Sequence, residues 1–147
     1  MGLDMYLSAK RYVSEYSDQD KPIIESINSI MPTKPAMRPR QVIFEAMYWR
    51  KANAIHGWFV DNVQDGQDDC KEYYVSVERL RELIQTCLQV VEERDPSLMP
   101  PTSGFFFGSS EADDYYYEDL TETAERLTKI LSEENINNFD FYYQSSW

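Results

Sequence analysis

The densest chemistry in the chain lies in the stretch YWRKANAIHGWF, residues 48–59, where Trp49, Arg50, Lys51, Asn53 and His56 stand close together. Arg50 and Lys51 precede a predicted helix start, and the free N–H groups and dipole of a helix N-terminus favour an anion. Trp49 supplies a ring that stacks on a base or sugar. His56 shares nearly the same helical face as Asn53 and carries the side chain that changes charge near neutral pH. Together these residues are a candidate ligand-binding set for a phosphate or nucleotide. The plainer reading of the same residues makes Trp49, Trp58 and Phe59 core, Asn53 a helix cap and the two cations solvated.

A second set is acidic and aromatic. Glu111, Asp113, Asp114, Glu118, Asp119 and Glu122 are interleaved with Tyr115, Tyr116 and Tyr117. With Glu78, Glu82, Glu92 and Glu93 of the preceding predicted helix, they could build one broad negative face, although spacing alone leaves open whether they share it. Such a face imitates the phosphates of a nucleic acid, fits the basic groove of a nucleic-acid enzyme and steers any basic partner. Glu111, Asp113, Asp114, Tyr115, Tyr116, Glu118, Asp119 and Glu122 are therefore the candidate partner-binding residues. The competing reading is a solvated face that keeps the protein in solution.

Signatures of catalysis are missing from the sequence. There is no P-loop, GxSxG, HExxH or GxGxxG pattern, so no catalytic residue and no cofactor is expected, and an enzyme is the less favoured class. The stretch DNVQDGQDDCKE, residues 61–72, matches a calcium-loop pattern only in part. Asp61, Asp65, Gly66, Asp69 and Glu72 fall at positions one, five, six, nine and twelve, but Val63 stands where an oxygen ligand belongs and Asp68 replaces an apolar anchor. A solvated acidic turn accounts for it, and no metal site is expected. Cys70 and Cys87 form neither a CxxC pair nor a Cys/His cluster, and Cys87 falls on the apolar stripe of a predicted helix.

The elements that must position these residues follow from hydrophobic period. Residues 3–13, LDMYLSAKRYV, alternate with a period of two and read as a half-buried strand. KPIIESINSI predicts a short helix from Pro22 to Ile30, with Ile23, Ile27 and Ile30 on one face, and MPTKPAMRPR a loop with a basic cluster of Lys34, Arg38 and Arg40. QVIFEAMYW predicts a strand, then Asn53 caps a helix to about Asn62 that buries Ile55, Trp58, Phe59 and Val63. YYV is a short strand, and Ser76 caps a helix to about Arg94 with Leu80, Leu83, Ile84, Cys87, Leu88 and Val91 as its stripe. GFFFGS reads as a brief strand. A third long helix runs from about Tyr116 to Glu133, with Leu120, Ala124, Leu127 and Leu131 inward, and FDFYYQSSW closes as a strand. The expected fold is a single α+β domain over residues 1–147: a small, mostly antiparallel sheet, terminal strands inside it, packed by about three helices.

At 147 residues the chain can bury a core without staples. Its net charge of −12 argues against direct nucleic-acid binding, which needs a basic footprint. Residues 1–63 hold eight Lys/Arg and seven Asp/Glu, whereas residues 64–147 hold six and nineteen, so the acidity belongs to the second half. MGLDMYLSAK lacks the basic start and apolar run of a signal peptide, and no segment approaches the roughly 18 apolar residues of a membrane span. A cytoplasmic protein without a membrane partner is expected.

Taken in order, MGLDMYL, YWRKANAIHGWFVDNVQ, SGFFFGS, YYYEDL and FYYQSSW resemble a group of small acidic proteins encoded by bacteriophages and prophages. The likeness covers most of the chain but not SEYSDQDKPIIESINSIMPTKPAMRPRQ, and it carries over no catalytic residue. It implies a phage accessory role in the host bacterial cytoplasm. Small phage proteins of this kind bind and disable a host or defence enzyme, some as acidic mimics of DNA, so the implied partner is a bacterial protein with a basic surface.

Overall fold

The period-two alternation at the start of the chain becomes strand β1 (Asp4–Tyr12), in which Met5, Leu7 and Ala9 are buried. The computed structural model describes residues 2–31, 37–102 and 111–147. After β1 come α1 (Lys21–Ile30), β2 (Gln41–Arg50), α2 (Asn53–Asn62), β3 (Tyr73–Val75), α3 (Val77–Glu93), α4 (Asp114–Leu131) and β4 (Asp140–Ser146). Short 3-10 turns occupy Pro96–Leu98 and Ile136–Asn138. The four strands form one antiparallel sheet in the order β2-β1-β4-β3. This is the expected α+β fold, and the first and last strands are its two inner ones. The strand expected at GFFFGS lies outside the described residues.

The pleat sorts side chains onto two unlike faces. On one face Met5 stands between Trp49 and Ser145, Leu7 between Met47 and Tyr143, and Ala9 between Phe44 and Phe141. The buried stripes of α3 and α4 join these residues in a single core that also takes in Ile55, Trp58 and Phe59 of α2. The other face stays open to solvent and is rich in tyrosine. Tyr6 and Tyr48 are cross-strand neighbours with ring centroids 5.4 Å apart, and Tyr74 meets Tyr142 edge-on at 5.8 Å. Lys10 Nζ lies over the Tyr142 ring, which adds a cation–π contact on the same face.

Two helices depart from the expected packing. In α3 the inward residues are Leu80, Leu83, Ile84, Cys87 and Val90, while Leu88 is half exposed. At 100° per residue, Val90 returns to the seam one turn after Cys87, whereas Leu88 rotates past its edge. The helix start is as read from the sequence, because the Ser76 hydroxyl accepts the Arg79 N–H. In α1 no residue is buried, although Ile23, Ile27 and Ile30 share a face. What holds its start is the Asp20 carboxylate, which accepts from the Ser14 N–H at 3.0 Å and pairs with Arg11 at 3.1 Å.

This phase of α3 is open to measurement. Leu83→Ala should cost about 2–5 kcal/mol in chemical denaturation because it opens a cavity in the core, while Leu88→Ala should stay within about 0.5 kcal/mol of the parent. Similar losses at the two positions would contradict the packing described.

Candidate functional site

The segment 48–59 turns inward more than its composition predicts. Trp49 is 4% exposed, meets Phe59 edge-on and donates its indole N–H to the buried Thr123 hydroxyl at 2.8 Å. Its ring is therefore closed to a base or sugar, which sets aside the candidate stacking role and agrees with the plainer reading of Trp49 as core. Asn53 is not the cap of α2: Ala52 holds that position, and Asn53 is buried in the first turn with its carbonyl accepting from the Thr102 hydroxyl. The short bend that makes this entry puts Lys51 at φ 58, in the left-handed region, with its N–H donated to Leu3.

His56 is also withdrawn from solvent. Its Nδ1 lies 2.7 Å from the Tyr143 hydroxyl, and its Nε2 lies 3.1 Å from one oxygen of Asp68. The other Asp68 oxygen accepts the Trp147 indole N–H at 3.0 Å. Tyr143 stacks flat on Phe59 at 3.8 Å, and burial together with the Asp68 charge holds its phenol well above the usual range. The phenol therefore stays protonated, a hydrogen-bonding hydroxyl held against His56 Nδ1. His56 thus ties α2 to β4 and to the turn before β3, a structural duty in place of the candidate ligand contact.

Only Arg50 and Lys51 of the first set remain exposed. They line a cleft of about 340 Å³ whose opposite wall is the first turns of α4 and the residues just before it: Glu111, Asp113, Tyr115, Tyr116 and Asp119. The two candidate sets, separate in sequence, thus meet at one place. Among the described residues neither cation is in an ion pair. Asp119 is half-buried there, and burial, with Glu122, Glu118 and Asp113 nearby, raises its carboxyl to about 6. Asp113 caps α4 by accepting the Tyr116 N–H at 2.9 Å.

The acidic run does not share one face. Helical rotation places Asp114, Glu118 and Glu122 on the solvent side of α4, directly opposite Tyr116, Leu120 and Thr123. Glu111, Asp113 and Asp119 turn to the cleft instead. Tyr116 is buried, with its hydroxyl donated to the Met99 carbonyl at 2.7 Å and its phenol pushed up to about 12 by burial, so it is not a surface contact. Tyr115, by contrast, is 77% exposed beside the acids. Glu125, outside the candidate set, continues the outward line. The spacing of Glu118, Glu122 and Glu125 is itself the helical signal that would have found it.

The carboxylates of the 61–72 turn disperse to different partners: Asp68 to His56 and Trp147, Asp69 to Lys71 and Tyr73. Positive φ at Asp65, Gly66 and Cys70 shapes this turn. Among the described residues no group of three or more His, Cys, Asp or Glu comes together as a metal cage, and no helix is long and apolar enough to cross a membrane. Cys87 is buried, and desolvation pushes its thiol up to about 12, which leaves it a small apolar core group. Comparison with known protein families, curated proteins and solved structures returns no match.

Two outcomes follow from this geometry. Tyr143→Phe removes the hydroxyl that meets buried His56 and should cost about 1–3 kcal/mol in urea denaturation, with far-UV circular dichroism unchanged. Asp119 has its folded-state carboxyl raised above the unfolded value, so its native form binds the extra proton and stability falls as pH rises from about 4 to about 6. Asp119→Asn should therefore raise the thermal midpoint at neutral pH, and the gain should vanish as the pH is lowered to about 4.

Proposed function

We propose that this protein is a non-enzymatic docking protein that captures a bacterial partner through the acidic outer face of α4. The observation that carries this reading is the alignment of Asp114, Glu118, Glu122 and Glu125 on the exposed side of one helix, with Tyr115 alongside. Carboxylates brought to one side of a rigid element attract a basic surface and speed encounter, and an exposed tyrosine adds contact area at low entropic cost. Resemblance to the acidic phage proteins directs the proposal to a nucleic-acid enzyme or defence complex of the host bacterium. In that setting the carboxylates stand in for nucleic-acid phosphates and inhibit by occupying the basic groove.

The alternative, a phosphate or nucleotide site at Arg50 and Lys51, is less well supported. Glu111, Asp113 and Asp119 line the same cleft and repel an anion, and Trp49 and His56 are engaged in the core. The net charge of −12 likewise disfavours direct contact with nucleic acid.

The test is affinity capture from bacterial lysate at low and high salt, with the Lys variant of Asp114, Glu118, Glu122 and Glu125 as comparison. A partner retained at low salt should be lost at high salt and should bind the folded quadruple variant at least about tenfold more weakly. Capture that ignores both salt and charge reversal, or the absence of any specific partner, would overturn the reading.

A further inference from the structure

The outward acids of α4 lead into an open groove of about 1000 Å³ between the C-terminal half of that helix, the turn that follows it and strand β2. Its floor is apolar: Ala9, Phe44, Ala46, Ile130, Ile136 and Phe139. Phe44 is 55% exposed, and Phe139 meets it edge-on at 5.7 Å, so the two rings form a surface that is only partly covered. The rim is strongly acidic, with Glu45, Glu122, Glu125, Glu133 and Glu134 against Arg126 and Lys129. Arg126 already donates its Nε–H to the Ala46 carbonyl at 3.2 Å. Among the described residues none of the five carboxylates is in an ion pair.

We propose that this groove is the anchoring site for a cationic protein segment that carries bulky apolar side chains. The inference rests on the proposed docking function and names the chemistry of its partner. An exposed phenylalanine beside a half-covered second ring calls for apolar side chains, and five carboxylates against two cations call for Lys or Arg around them. The same rim repels nucleic acid and anionic lipid. It also repels a second copy of this chain, whose own groove is acidic. Glu122 and Glu125 belong both to the outer face of α4 and to the rim, so a basic segment steered along the helix arrives at the apolar floor. Charge then governs the rate of encounter, and Phe44 governs the residence time.

The experiment selects displayed random peptides against the immobilised full chain at low ionic strength, then measures each binder by fluorescence polarisation. Ile43 supplies the control, because it is exposed to the same degree as Phe44 but points to the opposite face of the sheet. Selected peptides should be rich in Lys and Arg and carry at least one bulky apolar residue. Phe44→Ser should weaken them about tenfold or more, and Ile43→Ser by less than about twofold. The double variant Glu133→Lys/Glu134→Lys, confined to the exposed rim, should also weaken binding and keeps the test independent of any effect of Phe44→Ser on folding. Cationic binders that lack apolar anchors, or that bind the Phe44→Ser protein as well as the parent, overturn the groove and leave charge-driven docking on α4 standing. Binders without positive charge overturn both, and a failure to enrich any peptide overturns the groove.

Discussion

Strand β1 is the constraint on which the rest of the molecule depends. It pairs with β2 on one side and β4 on the other, so Met5, Leu7 and Ala9 each stand between a residue of β2 and a residue of the last strand. Pairing Asp4 with Ser146 closes nearly the whole sequence into a loop, an entropic cost that only the finished core can offset. Once that pairing exists, the stack of Tyr143 on Phe59 follows, because β4 then presents Tyr143 directly beneath α2. The contacts of His56 with Tyr143 and Asp68 are secondary to it.

The helix layer divides labour by rotation. One side of α4 buries Leu120, Thr123, Ala124 and Leu127 against the sheet, and Thr123 accepts the Trp49 indole proton there. The opposite side collects the carboxylates of Asp114, Glu118, Glu122 and Glu125, which stand exposed to solvent. At the cleft edge, burial first, then the charges of Glu122, Glu118 and Asp113, favour the protonated form of Asp119.

Much of the fold was legible because period is a local property. The alternation of LDMYLSAKRYV and FDFYYQSSW marked both inner strands, and the Ser76 cap set the start of α3 to the residue. What could not be read was the fate of residues whose environment is supplied from far away. Nothing near His56 announces Tyr143 or Asp68, and nothing near Trp49 announces Thr123, since those partners come from other strands and helices. The same holds for the cleft: Arg50 and Asp119 are neighbours only because α4 lies across the end of β2. Cues at element ends were less dependable than periodicity, as Asn53 illustrates, for the sharp bend at Lys51 moved the cap one residue earlier than its side chain suggested.

The outer margins of the sheet carry a further consequence. Register slips between Leu7 and Ser8, so Ala46 leaves the ladder and β2 bends at that point, and Arg126 claims the carbonyl so released. A foreign strand that approached β2 would meet a bend and a guanidinium where a continuous row of free backbone groups is needed. At the opposite margin β3 is three residues long, too short a template to extend. The molecule therefore keeps its exposed tyrosines and apolar groove without offering the sheet as a seed for fibrous growth.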